Sequence, residues 1–223
     1  MNVGLCFNLK KFQGESSPDD IYAEWDDEET IGAVRSALAR NHRVIPIEAN
    51  EEAFEKFRKV RPDIVFNMAE GMHGTSREAQ IPAMLDMLRI PYTGSDPLTL
   101  ALCLEKALAK QVLSYRRIPT AAFTVVHNPK KKEEFPPFPL IVKPLAEGSS
   151  KGIGNRALVH TSRQLQEQIS TVLTKYHQPA LVEKYLPGRE FTVALLGNGA
   201  GLRVLPIVEI QFEQLPAHIN PIY

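Results

Sequence analysis

The sequence predicts an α/β protein in which a parallel-sheet lobe is followed by a region of the α+β kind. Up to residue 95, short apolar runs of strand length alternate with stretches of helical periodicity, as a parallel sheet with crossover helices requires. Beyond residue 95 that alternation stops, and one long helical stretch is followed by strands in near succession. The 223 residues, 43% apolar, suffice for one substantial core or two modest ones. The change of pattern divides the chain into domains 1–95 and 96–223.

In the first part, Asn2–Asn8 reads as a short buried strand. Asp27–Asn41 reads as a helix, with Ile31, Val34 and Leu38 at helical spacing and acidic residues in the first turn, where the helix dipole favours them. Val44–Ile47 is a second strand and Glu51–Val60 a more polar helix; Pro62 then breaks the chain before a third strand, Ile64–Asn67. A helix from about Arg77 to Leu88 and the segment Ile90–Gly94 complete a Rossmann-like lobe. No GxGxxG follows the first strand, so a dinucleotide is not indicated.

The second part opens with a helical stretch over Asp96–Arg116, the aspartate as N-cap and Pro97 at the first helical position. Ala121–Val126 is β-rich, and Asn128–Pro139 is a linker rich in Pro and Lys. Strand Leu140–Lys143 leads into the loop Ala146–Gly154. A helix (Ser162–Tyr176) and strands Ala180–Glu183, Glu190–Gly197 and Leu202–Gln211 follow.

Composition excludes several classes. Twenty-six basic and 26 acidic side chains give a formal charge of zero, so no global field draws the protein to nucleic acid or an anionic membrane. The run Lys130-Lys131-Lys132 is neutralised at once by Glu133-Glu134 and reads as a solvated turn. Cys6 and Cys103 lie in apolar runs without CxxC spacing, as buried free thiols of a reducing compartment do. The N-terminus lacks the pattern of a signal peptide, and no apolar stretch approaches the ~18 residues of a membrane helix. A cytoplasmic protein is expected.

Three segments could carry chemistry. Lys143 ends an apolar strand and is followed by Pro144, which keeps the chain extended; its ammonium can reach a cleft while its stem packs on the sheet. Glu147-Gly148-Ser149-Ser150-Lys151-Gly152-Ile153-Gly154 follows, a turn whose glycines let backbone N–H groups converge on phosphate oxygens. An ordinary turn uses the same residues, and the fixed lysine upstream favours the phosphate cradle. Lys106 and Lys110 share a helix face at i,i+4 spacing, which taken alone reads as a solvated face. Glu183-Lys184-Tyr185-Leu186, with Glu190 beyond Gly188-Arg189, can offer backbone groups to an adenine edge and a carboxylate to ribose hydroxyls.

In order and spacing these segments, with Pro119-Thr120, resemble the nucleotide half of ATP-grasp enzymes, and Ile90–Ser95 resembles the interdomain segment of D-alanine–D-alanine ligases. The resemblance runs from about Asp63 to Glu209 and implies a pre-ATP-grasp substrate domain followed by a partial ATP-grasp domain. It implies that Lys106 and Lys143 hold the ATP phosphates, with Glu147, Gly148, Ser149, Ser150 and Gly152 in a loop closing over them. Glu183, Lys184 and Leu186 would line the adenine pocket and Glu190 would bind the ribose. Ser149 would also help place the first amino acid. The implied activity is ATP-dependent ligation of a carboxylate to an amine, as in peptidoglycan biosynthesis, with magnesium as cofactor and a homodimer as a common assembly.

The sequence also departs from that pattern. The family's N-terminal loop, with a glutamate orienting the first substrate, has no clear counterpart; Glu15 is the nearest acidic residue to it. Glu70 stands where D-alanine ligases carry histidine, and Ser76-Arg77-Glu78-Ala79 replaces a Gly-Glu-Asp-Gly segment. Both changes touch the amino-acid pocket, so another amino acid or carboxylate is an open alternative. The family's magnesium ligands would fall beyond residue 223, so none is assigned here. On that reading this chain alone is not expected to ligate, and a non-catalytic nucleotide-binding module is the competing interpretation.

Overall fold

The computed structural model describes residues 1–10, 20, 22–216 and 218–222. Strands β1 (Asn2–Phe7), β2 (Arg43–Glu48) and β3 (Ile64–Asn67) form a parallel sheet in the order β2-β1-β3. β1 is central, and its run Val3–Cys6 is buried throughout, as a strand covered on both faces must be. Helices α1 (Glu28–Ala39), α2 (Ala53–Val60) and α3 (Gln80–Leu88) accompany this sheet. Asp27 caps α1 by accepting the Thr30 N–H at 2.8 Å. Phe57, Ile47, Val65 and Leu85 form the centre of the core with Cys6, whose thiol pKa burial pushes up to about 12. Val65 exchanges backbone hydrogen bonds with Pro91 and Thr93, so the Ile90–Gly94 segment extends the sheet beyond β3.

The expected helix over Asp96–Arg116 is two helices, α4 (Pro97–Leu104) and α5 (Lys106–Tyr115). The break is at Glu105, whose extended backbone ends α4 while its carboxylate caps α5 at Leu108 N–H. α4 packs against the turn Arg77–Ala79 that precedes α3 and against α5. Cys103, on α4, is exposed, contrary to the expectation of a buried thiol: this short helix is apolar on every side, and of its residues only Leu104 is buried.

A second sheet, fully antiparallel, has the order β4-β7-β5-β6, built from β4 (Phe123–Val126), β5 (Leu140–Pro144), β6 (Leu158–Val159) and β7 (Ala180–Lys184). Alternation sorts its side chains. Leu140, Val142, Ala180 and Val182 pack with Leu165 and Ile169 of α6 (Ser162–Thr171) and with Val172, in the wider turn that continues α6 to Tyr176. Leu181 faces Ala107 of α5 on the other side. Lys143 pairs in register with Leu181, and Ile141 with Glu183, so Lys143 and Glu183 share the face toward α5.

The remaining strands are shorter than expected. Glu190–Gly197 resolves into β8 (Glu190–Thr192) and β9 (Leu195–Leu196), and Leu202–Gln211 into β10 (Arg203–Val204) and β11 (Val208–Ile210). They pair antiparallel as β11 with β8 and β10 with β9, and interruptions at Val193-Ala194 and Leu205–Ile207 split each run. Leu195, Val204 and Ile207 are exposed there.

Candidate functional site

On the α5 face of the second sheet, Glu183 is buried at the end of β7 and receives two ammonium groups. Lys110 Nζ of α5 lies 2.6 Å from Glu183 Oε1, and Lys143 Nζ of β5 pairs with Glu183 Oε2. Burial pushes the Glu183 carboxyl up, but Lys143 and Lys110 outweigh it and hold the group below its ordinary range. Lys110 also donates to Thr120 Oγ1 at 2.8 Å and lies 5.2 Å from the centre of the Phe123 ring. The solvated lysine face expected from spacing alone is therefore corrected. The break at Glu105 turns α5 inward, and Lys110 is buried on a carboxylate.

Lys106 begins α5. Its ammonium donates to the Glu147 carbonyl, and its backbone N–H to the Leu145 carbonyl at 3.3 Å. Burial, and then the nearby Lys143 charge, lower its pKa. The loop that follows β5 is tightly folded: Lys151 N–H donates to the Gly148 carbonyl and Ile153 N–H to the Ser150 carbonyl, both at 2.9 Å. Ser149 and Ser150 occupy the left-handed region at φ 45° and 56°, a conformation that costs L-residues energy and concentrates at ligand clamps. Gly152 is required where it stands, because at φ +78° an added Cβ would lie 2.5 Å from Pro144 Cγ. Ser149 is exposed, and Ser150 is half-buried.

A second charge network joins this loop to the first sheet. Arg77, buried, donates to both carboxylate oxygens of Glu24 (2.6 and 2.7 Å from Nη2), to Glu147 Oε2 at 2.8 Å and to the Ala146 carbonyl at 3.0 Å. Glu147 Oε2 also meets Lys151 Nζ at 3.0 Å, and Gln178 donates to Oε1. Glu24 accepts the Gly148 N–H at 2.5 Å, and a Cβ on Gly148 would lie 3.6 Å from Glu78 Oε1. Burial, followed by the Glu78 and Glu24 charges, pushes the Glu70 carboxyl up to about 7; burial likewise raises Glu78. Sequence reasoning missed Glu24 and Arg77 as a pair, and Glu15 lies outside the described residues. The available signal was Glu24 shortly before a helix cap, which cannot be told from the acidic residues that ordinarily crowd a helix start.

Lys143, Leu186 and Glu190 line one cavity of about 300 Å³ together with Ile141, Phe212 and Ile222. Lys184 is not in its wall: its ammonium donates to the Pro137 and Phe138 carbonyls at 3.0 Å each. The segment closing the cavity is tied down, with Tyr185 donating to the Pro221 carbonyl and Asn220 donating its backbone N–H to Asn155 Oδ1 and its side-chain amide to the Asn155 carbonyl. The fold thus joins Lys143 and Lys110 to Glu183, joins Lys106 to Glu147, and ties Glu147 and Gly148 together through Arg77 and Glu24; it sets Leu186 and Glu190 beside Lys143 and turns Lys184 away from that cavity.

Comparison with known proteins places this arrangement. Residues 111–218 match the family described as D-ala D-ala ligase C-terminus. An uncharacterized protein of Sinorhizobium fredii, y4sG, is 43% identical over 68% of this chain and 44% of its own length. A D-alanine–D-alanine ligase of Pseudothermotoga lettingae is 34% identical over 76% of this chain and 55% of its own length. In fold, the chain is similar to the crystal structure of the Bacillus anthracis D-alanine–D-alanine ligase complexed with ATP, with a TM-score of 0.72 and 22% identity over 96% of this chain and 67% of that one. Fold and sequence likeness together define an ATP-grasp protein. Within that class, the chain is D-alanine–D-alanine ligase-like. It spans about half the length of the curated relatives it matches.

Proposed function

We propose that the chain provides the substrate lobe (1–95) and nucleotide lobe (96–223) of an ATP-dependent carboxylate–amine ligase, with α4 as the connection between them. The observation that carries this reading is the pairing of Lys143 and Lys110 on one buried carboxylate, with the Lys106 charge near Lys143, beside a loop in which Ser149, Ser150 and Gly152 are left-handed. Cationic side chains and backbone N–H groups of that kind neutralise and position a triphosphate, which is most of what phosphoryl transfer asks of a protein. The reaction proposed activates a carboxylate as an acyl phosphate, which an amine attacks to give an amide, ADP and phosphate.

In this reading Lys106 and Lys143 hold phosphates, and Gly148–Gly152 with Ser150 cover them. Glu147 anchors the loop through Arg77 and Lys151. Leu186 and the backbone at Glu183 and Lys184 flank the base, and Glu190 accepts the ribose hydroxyls. Ser149, with Glu24 reaching the neighbouring Gly148 N–H, orients the first substrate. Magnesium as a cofactor belongs to the same proposal; among the described residues no group of three or more His, Cys, Asp or Glu side chains converges to hold it. Among the described residues no helix is long and apolar enough to cross a membrane. A cytoplasmic place in peptidoglycan biosynthesis is part of the proposal. A homodimer belongs to the same proposal.

A second reading concerns the substrate alone. Glu70, whose burial among Glu24 and Glu78 raises its pKa to about 7, replaces a histidine and favours an acyl donor other than D-alanine. ATP titration by calorimetry, wild type against Lys143→Ala, tests the nucleotide assignment: loss of binding in the variant is expected, and equal heats would sink it. Phosphate release with a panel of amino acids tests the acyl donor, and stimulation by D-alanine alone would remove the second reading.

A further inference from the structure

We infer that Lys110 is a reserve counter-ion, which keeps Glu183 paired so that Lys143 is free to move from that carboxylate to a phosphate. The inference rests on the reading of Lys143 as a phosphate ligand. Two ammonium groups on one carboxylate leave a positive charge in excess inside the sheet. An arriving polyanion therefore draws on one of the two lysines, and their surroundings decide which.

Lys110 is the fixed one. Its side chain is 9% exposed, against 20% for Lys143, and it is held by the Thr120 hydroxyl and over the Phe123 ring. Lys143 alone of the pair lines the 300 Å³ cavity that Leu186 and Glu190 share. Without Lys110, a departing Lys143 would strand a buried carboxylate, and an unpaired buried charge is costly enough to oppose nucleotide binding. With Lys110 remaining 2.6 Å from Oε1, Glu183 stays neutralised and the transfer of Lys143 costs little. Lys110 is thus a positioning residue: it sets phosphate affinity without touching the phosphate.

The test is ATP affinity of the whole chain by calorimetry, with melting temperature recorded for each variant. Lys110→Met leaves Lys143 as the only partner of Glu183 and is expected to weaken binding about tenfold or more, while Lys110→Arg retains it. Adding Glu183→Gln to Lys110→Met removes the competing carboxylate and should restore affinity to within about threefold of wild type. Glu183→Gln alone keeps the backbone beside the base, removes the carboxylate that competes for Lys143 and should bind ATP more tightly than wild type, and it decides the matter if Lys110→Met does not fold. A purely structural role predicts instead that the two effects add, so a double variant weaker than Lys110→Met overturns the inference. So does wild-type affinity in Lys110→Met, or affinity no tighter than wild type in Glu183→Gln. If Lys143→Ala binds ATP as wild type does, the phosphate assignment itself has failed. If it loses binding while Lys110→Met does not, only the reserve role has failed.

Discussion

The two charge networks at the site are built from the same residue types and differ in sign. Around Glu183, one carboxylate faces Lys110 and Lys143, and cation is in excess. Around Arg77, the carboxylates of Glu24, Glu147, Glu70 and Glu78 gather about Arg77 and Lys151, and anion is in excess. The first network lies within one sheet and one helix. The second spans the first sheet's loops and the second sheet's loop, so its integrity reports on how the two are held together. An excess of one sign in a partly desolvated site is a standing demand for a ligand of the other.

The largest expected effect tests whether the Arg77 network is a structural tie. Arg77→Met leaves Glu24 buried without its cation and Glu147 with Lys151 alone, and denaturant unfolding should register a loss of about 3–5 kcal/mol. A loss under about 1 kcal/mol would mean that the carboxylates are solvated and the contrast between networks is false. Next in size, Gly152→Ala probes the loop between them. Its Cβ meets Pro144 and its backbone lies at positive φ, so about 2 kcal/mol of stability should go, with weaker ATP binding.

Glu70 tests the anionic excess through pH. Its carboxyl is raised from 4.5 to about 7, so between these values the folded state holds more protons than the unfolded one. Stability is then fully present below about pH 4.5 and declines as pH rises through about 7. Glu70→Gln should remove that decline and stabilise the protein at pH 8 by about 1 kcal/mol, discounted for the partial exposure of the group. Parallel pH profiles for the two proteins would show that Glu70 titrates normally. The smallest effect sets a baseline outside both networks. Asp27→Ala removes the α1 cap and should lower the melting temperature slightly while leaving ATP affinity unchanged.

Much of the site was legible because its signals are local. Lys143 at a strand end before Pro144, and the tight glycine turn that follows, are where the sequence placed them. Lys106 and Lys110 were visible as a spaced pair, yet their burial was not, since it depends on a helix break at Glu105 and on Glu183 arriving from β7. Lys184, read as part of the nucleotide wall, turns to the Pro137 and Phe138 carbonyls, a partner choice made by the linker's path. Glu24 and Arg77 were the least legible, being 53 residues apart with no local motif to announce them.

The sequence by itself determined the alternation of strand and helix, the caps at Asp27 and Asp96, the apolar faces, and the order of lysine, glycine loop and acidic residues. These follow from period, propensity and turn chemistry, which act over a few residues. Only the tertiary structure decided which carboxylate neutralises which lysine, where the long helix breaks, and that Glu24 reaches the glycine loop. Those outcomes depend on desolvation and on distances between segments remote in the chain, and a charge's worth changes severalfold with burial.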